Sequence, residues 1–207
     1  MLTYHQHLEL YPILAPSEKL ILGTIHPPHI EDFQIPFFYG NKASLWHIFS
    51  DAFPELLPKP LCLENVLSFL AIKKIAISDT IRICSRKKDS ALDRDLEPIA
   101  LNMALIEQIK NSKIKAIYCT SVYAFKLFYQ GILGKKITKE ILKNRQVVLD
   151  EKRFGRKICL YIIHSPSGAA NIALASSHLY QSQKEKYKHS KRPIYDLKVD
   201  YYKNIFQ

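Results

Sequence analysis

Short runs that are apolar at nearly every position recur along the chain, separated by stretches in which apolar residues return every three or four positions. Lys19–Gly23 (KLILG) ends in glycine and is predicted as a buried parallel strand. Ile75–Ile77, Ile114–Cys119 (IKAIYC) and Lys157–Ile163 (KICLYII) are predicted as further strands. Ser44, a good N-cap, precedes the helical spacing of Leu45, Ile48 and Phe49. Leu63–Ile72 has helical spacing too, and Leu96–Asn111 is predicted as a helix with Pro98 in its first turn. One more helix should follow the strand that ends at Cys119 and run to about Tyr129. Another should span Ser176–Tyr187, with Tyr180, Lys184 and Tyr187 along one face. The polar, charged stretch Ser78–Asp95 is expected to be an exposed functional loop. Strands alternating with helices predict a parallel sheet covered on both faces. In such sheets ligands bind beyond the carboxyl ends of the strands.

Composition narrows the picture without redirecting it. The chain has 207 residues, no internal repeat and no low-complexity linker, which suits a single domain, 1–207. No apolar run reaches the ~20 residues that span a bilayer, and the N-terminus lacks a basic segment followed by an apolar stretch. The expected location is cytoplasmic. A formal charge of +11 favours a polyanionic partner, because basic side chains at phosphates release counterions, although solvated lysines alone produce the same excess. Cys62, Cys84, Cys119 and Cys159 lie far apart with no CxxC pair, which argues against a structural zinc or an iron–sulfur cluster, and Cys119 and Cys159, inside apolar runs, are expected as buried reduced thiols. Neither GxxxxGK[ST] nor Gly-x-Ser-x-Gly occurs, which argues against a triphosphate-binding loop and an esterase nucleophile.

Three segments leave the carboxyl ends of predicted strands: Gly23-Thr24-Ile25-His26-Pro27-Pro28-His29, Thr120-Ser121, and His164-Ser165-Pro166-Ser167-Gly168-Ala169-Ala170-Asn171. The first and last each put a histidine and prolines directly after a strand. Proline fixes φ and removes an amide donor, so such loops hold rigid, irregular shapes.

These segments carry a resemblance. Leu20-Ile21-Leu22-Gly23 through Phe37-Phe38-Tyr39-Gly40-Asn41 and Leu45-Trp46-His47-Ile48 resembles the first motif of the uracil-DNA glycosylase superfamily. His164-Ser165-Pro166-Ser167 through Ala170-Asn171 is similar to its second. Ile77-Ser78-Asp79-Thr80, Cys84-Ser85-Arg86 and Ser90-Ala91-Leu92-Asp93 resemble a segment of the hypoxanthine and mismatch branch. Ile117-Tyr118-Cys119-Thr120-Ser121 and Ala124 resemble that branch's third strand and the helix after it. The likeness runs from about Leu20 to Asn171. It implies an α/β fold, a three-layer α/β/α sandwich around a central, mostly parallel four-stranded sheet. It also implies a monofunctional glycosylase that flips a deaminated or mismatched base from DNA and hydrolyses its N-glycosidic bond, as a monomer and without metal or cofactor.

Roles follow from the matched positions. His164 would donate to the departing base anion, unless it merely satisfies a strand end. His26 and Asn41 compete, with His29, to position the attacking water, and Gly40-Asn41 is also an ordinary turn. One of Phe37, Phe38 and Tyr39 would stack on the base, the others packing in the core. Thr120 and Ser121 would read the base edge, or Ser121 would cap a helix. Ser165, Ser167 and Asn171 would hold phosphates, and Arg86, Lys87 and Lys88 would meet the DNA backbone, as would the basic run Lys184–Arg192. Two departures stand out: His26 occupies the place of a water-activating Asp, and Ser44 that of a catalytic Asn. They leave open a non-catalytic nucleic-acid-binding relative. An unrelated α/β hydrolase acting on nucleotides is the other alternative.

Overall fold

The computed structural model describes residues 1–42, 44–90 and 92–207, so Ala91, within one of the matched segments, lies outside the described residues. The strands are β1 (Leu2–Tyr4), β2 (Lys19–Gly23), β3 (Ile75–Asp79), β4 (Ile81–Arg86), β5 (Leu96–Leu101), β6 (Ala116–Cys119), β7 (Gln146–Leu149) and β8 (Ile158–Ile162). The helices are α1 (Ser44–Ala52), α2 (Leu63–Lys73), α3 (Leu105–Lys110), α4 (Val122–Lys126), α5 (Lys139–Asn144), α6 (Glu151–Phe154), α7 (Asn171–Ala175), α8 (His178–Gln181) and α9 (Pro193–Phe206). They form two compact units, each drawn from two stretches of chain: Met1–Ile30 with Lys74–Ile163, and Glu31–Lys73 with His164–Gln207.

The first unit holds all the described strands. Its main sheet has five strands in the order β3-β2-β6-β8-β7. Four are parallel, and β7 joins β8 antiparallel as an edge. The expected four-stranded sheet is therefore one strand short. Arg145, in the left-handed region at φ 55°, turns the chain from α5 straight back into β7. Leu20 and Leu22 of β2, Ile117 and Cys119 of β6, and Leu160 and Ile162 of β8 face one core with Leu105, Ile109, Phe125 and Phe128. On the other side of the strands Tyr118 and Tyr161 stack, with ring centroids 5.3 Å apart. Burial raises the Cys119 thiol well above its ordinary pKa, so it stays protonated and inert.

A second, three-stranded antiparallel sheet, β1-β4-β5, occupies the region expected to be loop and helix. Leu96–Asn111 is not one helix. Its first half is β5, and only Leu105–Lys110 is helical. Pro98 settles the difference, because an edge strand beside a register shift tolerates a residue with no N–H to donate. The predicted helix Ser176–Tyr187 is likewise broken, into α8 and a 3-10 turn at Lys184–Tyr187.

The second unit is helical and aromatic. Phe49 of α1 meets Phe69 of α2 and Tyr202 and Phe206 of α9 at 5.1–5.8 Å between ring centroids. The loop before α1 is fixed by Trp46, whose indole N–H donates to the Phe38 carbonyl at 2.9 Å. It also needs glycine at position 40, where a Cβ would overlap the Ile35 carbonyl. Among the described residues no helix is long and apolar enough to cross a membrane.

Candidate functional site

In the first unit the ends of β2 and β6 lie side by side, and the residues just beyond them converge on one carboxylate. Thr24 donates its hydroxyl to Asp93 Oδ1 at 2.9 Å. Ser121 caps α4 by accepting from the Ala124 N–H at 3.0 Å, which leaves its own proton to donate to Asp93. Burial pushes the Asp93 carboxyl above the usual carboxylate range, and these two hydroxyls only partly offset the loss of water. Tyr123, the second residue of α4, has its phenol raised by burial and then by the charge of Asp93. A carboxylate at parallel strand ends, raised toward neutrality, suits a proton acceptor. It fell within a matched segment, yet nothing in its local sequence pointed to a role. The partners that single it out come from 69 positions upstream and from another strand end.

His26 does not project as a free base. Its ring is buried, its Nε2 accepts from the Gln6 N–H at 3.1 Å, and its Nδ1 proton goes to the Pro27 carbonyl at 2.6 Å. Those contacts select the neutral Nδ1–H tautomer, and burial lowers the His26 pKa despite the opposing bond to Pro27. The water-positioning role read for His26 is therefore corrected to a structural one. His5 and His7 complete a ring cluster around it, at centroid distances of 4.8 and 5.5 Å. His5 donates from Nε2 to Asp79 at 2.8 Å and accepts at Nδ1 from the His7 N–H. Burial, with His26 and His5 nearby, drives the His7 pKa down to about 4. Among the described residues no group of three or more His, Cys, Asp or Glu side chains is arranged to hold a metal ion. His29 sits apart, exposed and paired with Asp89 at 3.1 Å.

Arg86 is the second correction. It is only 3% exposed, so it cannot lie on a DNA backbone. Its guanidinium donates to the Thr3 hydroxyl, the Ser90 carbonyl and the His26 carbonyl at 3.1, 2.7 and 2.5 Å. It thereby ties β1, the first strand-end loop and the 90s loop together. Lys87 and Lys88 are exposed, and Lys87 pairs with Glu97 at 3.4 Å. Thr120 is buried, its hydroxyl directed at the Leu22 carbonyl.

The second unit holds the rest. Phe37 and Phe38 are 3% and 1% exposed and pack with Trp46 in its core, so neither is a stacking surface. Tyr39 is half-buried, at a left-handed φ of 57°, and half-buried Asn41 follows one residue after Gly40. His164 is half-buried. Its carbonyl accepts from Tyr202 at 2.8 Å and its ring meets Tyr201 edge-on at 5.3 Å. The loop from Ser165 to Asn171 presents Ser167 to solvent with Ser165 and Asn171 half-buried. The basic run at Lys184–Arg192 is largely spent internally: Lys186 pairs with Asp200 at 2.6 Å, Lys188 with Glu185, and Arg192 with Asp51 and Asp196.

No protein-family model matches the chain, and no curated protein does. Among solved structures it is similar to a solution NMR structure from Methanosarcina acetivorans, provisionally assigned as a uracil DNA glycosylase. The identity is 17%, the match covers 96% of each chain, and the TM-score is 0.49.

Proposed function

We propose that the chain is a DNA glycosylase that flips a deaminated or mismatched base, of the uracil or hypoxanthine class, and hydrolyses its N-glycosidic bond. The observation that carries the reading is the Asp93 carboxylate, held by Thr24 and Ser121 where two neighbouring parallel strands end. The ordered motif resemblance and the charge of +11 support it from the sequence side. On this reading residues 1–207 work as one three-layer α/β/α domain of the hypoxanthine and mismatch branch, a monomer that needs no cofactor.

The chemistry divides between named groups. The bond from C1′ to the base nitrogen breaks, and its electron pair leaves with the base. The His164 ring donates to a carbonyl oxygen of that anion. Water adds to C1′ and gives its proton to Asp93, a task helped by a pKa raised toward the working pH. Asn41 is the other candidate, from the motif resemblance, for orienting an attacking water. Tyr39 stacks on the flipped base, and Ser121 reads its edge. Ser165, Ser167 and Asn171 hold backbone phosphates, and Lys87 and Lys88 add sequence-independent attraction.

One observation favours a second reading, a non-catalytic DNA-binding relative: both ring nitrogens of His26 are already engaged. The two part in a single assay. Oligonucleotides carrying one uracil, hypoxanthine, xanthine or G·U or G·T mismatch are incubated with the protein, and abasic sites are then cleaved with alkali. Strand scission on any substrate supports the glycosylase. DNA binding with no scission on every substrate overturns it in favour of the non-catalytic relative.

A further inference from the structure

Lys198 of α9 is 2% exposed, yet its neighbours offer it no counter-charge. Its ammonium donates to the Ser167 carbonyl at 2.8 Å, to Asn171 Oδ1 at 2.7 Å and, more weakly, to the Pro166 carbonyl at 3.4 Å. All three acceptors are neutral. Asp196 accepts from Ser190 and lies 3.8 Å from Arg192, while Asp200 accepts from Lys186 and Tyr187. Among the described residues no carboxylate comes within ion-pair distance of Lys198. Tyr202, four positions further along α9, donates its hydroxyl to the carbonyl of His164 at the start of the loop. Burying a cation against neutral oxygens alone is costly, and that cost lowers its pKa to about 8.

The arrangement also fixes the polarity of the loop. An ammonium can only donate, so Asn171 must turn its carboxamide oxygen toward Lys198 and its NH2 group away. The Ser165 hydroxyl accepts from the Ser167 N–H at 3.2 Å, and the Ser167 hydroxyl from the Ala169 N–H at 3.3 Å. With those lone pairs used, each hydroxyl proton remains to be donated. The loop therefore presents donors, above a buried positive charge that no carboxylate among the described residues neutralises.

We propose that Lys198 is the positioning residue of a phosphate-binding loop, orienting Asn171 and supplying from beneath the charge that Ser165, Ser167 and Asn171 convert into a receptor. The proposal deepens the reading of this loop as a holder of DNA phosphates and rests on it. The ligand is a phosphate, from a DNA backbone or free in solution.

The test uses the whole chain, with inorganic phosphate and an undamaged duplex oligonucleotide as separate probes and base release left unread. Asn171→Asp gives Lys198 its missing partner. The variant should melt at a higher temperature yet bind about tenfold or more weakly. With the duplex, the slope of log affinity against log salt should shrink by about 0.9, one phosphate contact. Lys198→Met should weaken binding at pH 7 and flatten the loss that the unsubstituted protein shows as pH rises past 8. Lost phosphate binding alone marks a free-phosphate site, and lost duplex binding marks a backbone site. If Asn171→Asp binds both probes as the unsubstituted protein does, or if the unsubstituted protein binds neither, the proposal is overturned. Binding that responds as described, in a protein that releases no base, would sink the glycosylase reading and leave this one standing.

Discussion

The loops that begin at His26 and at His164 share one sequence grammar: a buried strand, a histidine, then proline. The structure spends them in opposite ways. Around His26 every polar group is consumed at home, the ring by Gln6 and Pro27 and the carbonyl by Arg86. Around Ser165–Asn171 the consumption comes from beneath, through Lys198, and the outward donors are left over. Histidine-plus-proline thus encodes rigidity in both places but reactivity in neither. What a loop can do depends on which of its hydrogen-bonding groups the rest of the chain has already used.

Four tests probe the contrast between the loops and the units that carry them. The largest effect should come from Asp93→Asn. If the chemistry beside the first loop belongs to this carboxylate rather than to His26, base release should fall about 10²–10⁴-fold with DNA affinity retained, and the acid limb of the pH–rate profile should vanish. Folding should improve slightly, since a carboxyl raised in the folded state stabilises below its pKa and that benefit is lost as pH rises through it. Next comes a matched pair. His164→Ala should lower cleavage by about 10²-fold or more with little change in melting temperature. His26→Ala should cost about 2 kcal/mol by urea denaturation while turnover per folded molecule stays near that of the unsubstituted protein. The reverse pattern would invert the comparison.

Third, the histidine cluster makes the first unit acid-sensitive. Because the folded state holds the His7 pKa at about 4, the unfolded chain binds more protons at every pH between there and 6.5. Stability should be intact above pH 6.5 and decline as pH falls toward 4, and His26, lowered in the same direction, should add to the loss. His7→Gln should flatten that decline in melts run across the range. Smallest of all, Lys88→Ala should reduce the salt slope of duplex binding by about 0.9 or less and leave cleavage of bound substrate alone.

The parallel strands were legible because each is a run of apolar residues bounded by turn signals. Lys19–Gly23 matches residue for residue. The antiparallel sheet was not, because β4 (IRICSR) carries two arginines and a serine among its six positions and β5 carries a proline. Arg86 reads as a surface cation until Thr3, Ser90 and His26 gather around it, and no local pattern announces that gathering. The same holds for the candidate site. Thr24, Ser121 and Asn171 stood at strand ends where the topology rule points, whereas Asp93 and Lys198 acquire meaning only from residues 69 and 27 positions away. Two of Phe37, Phe38 and Tyr39 were expected in the core, but which two was not legible, because an aromatic triplet looks the same in sequence whether it meets a ligand or a tryptophan.

The interleaving of the two units bears on how the protein is made. A ribosome working at about 5–20 residues per second has released the whole first unit once Ile163 emerges. The parallel pairing of β2 with β3 then closes a long loop containing α1 and α2. Phe49, with Phe69 against it, waits in that loop for Tyr202 and Phe206 of α9, which have yet to emerge. For several seconds the nascent chain carries a sticky, half-built helical pair tethered to a finished sheet, which is the kind of surface that holding chaperones recognise.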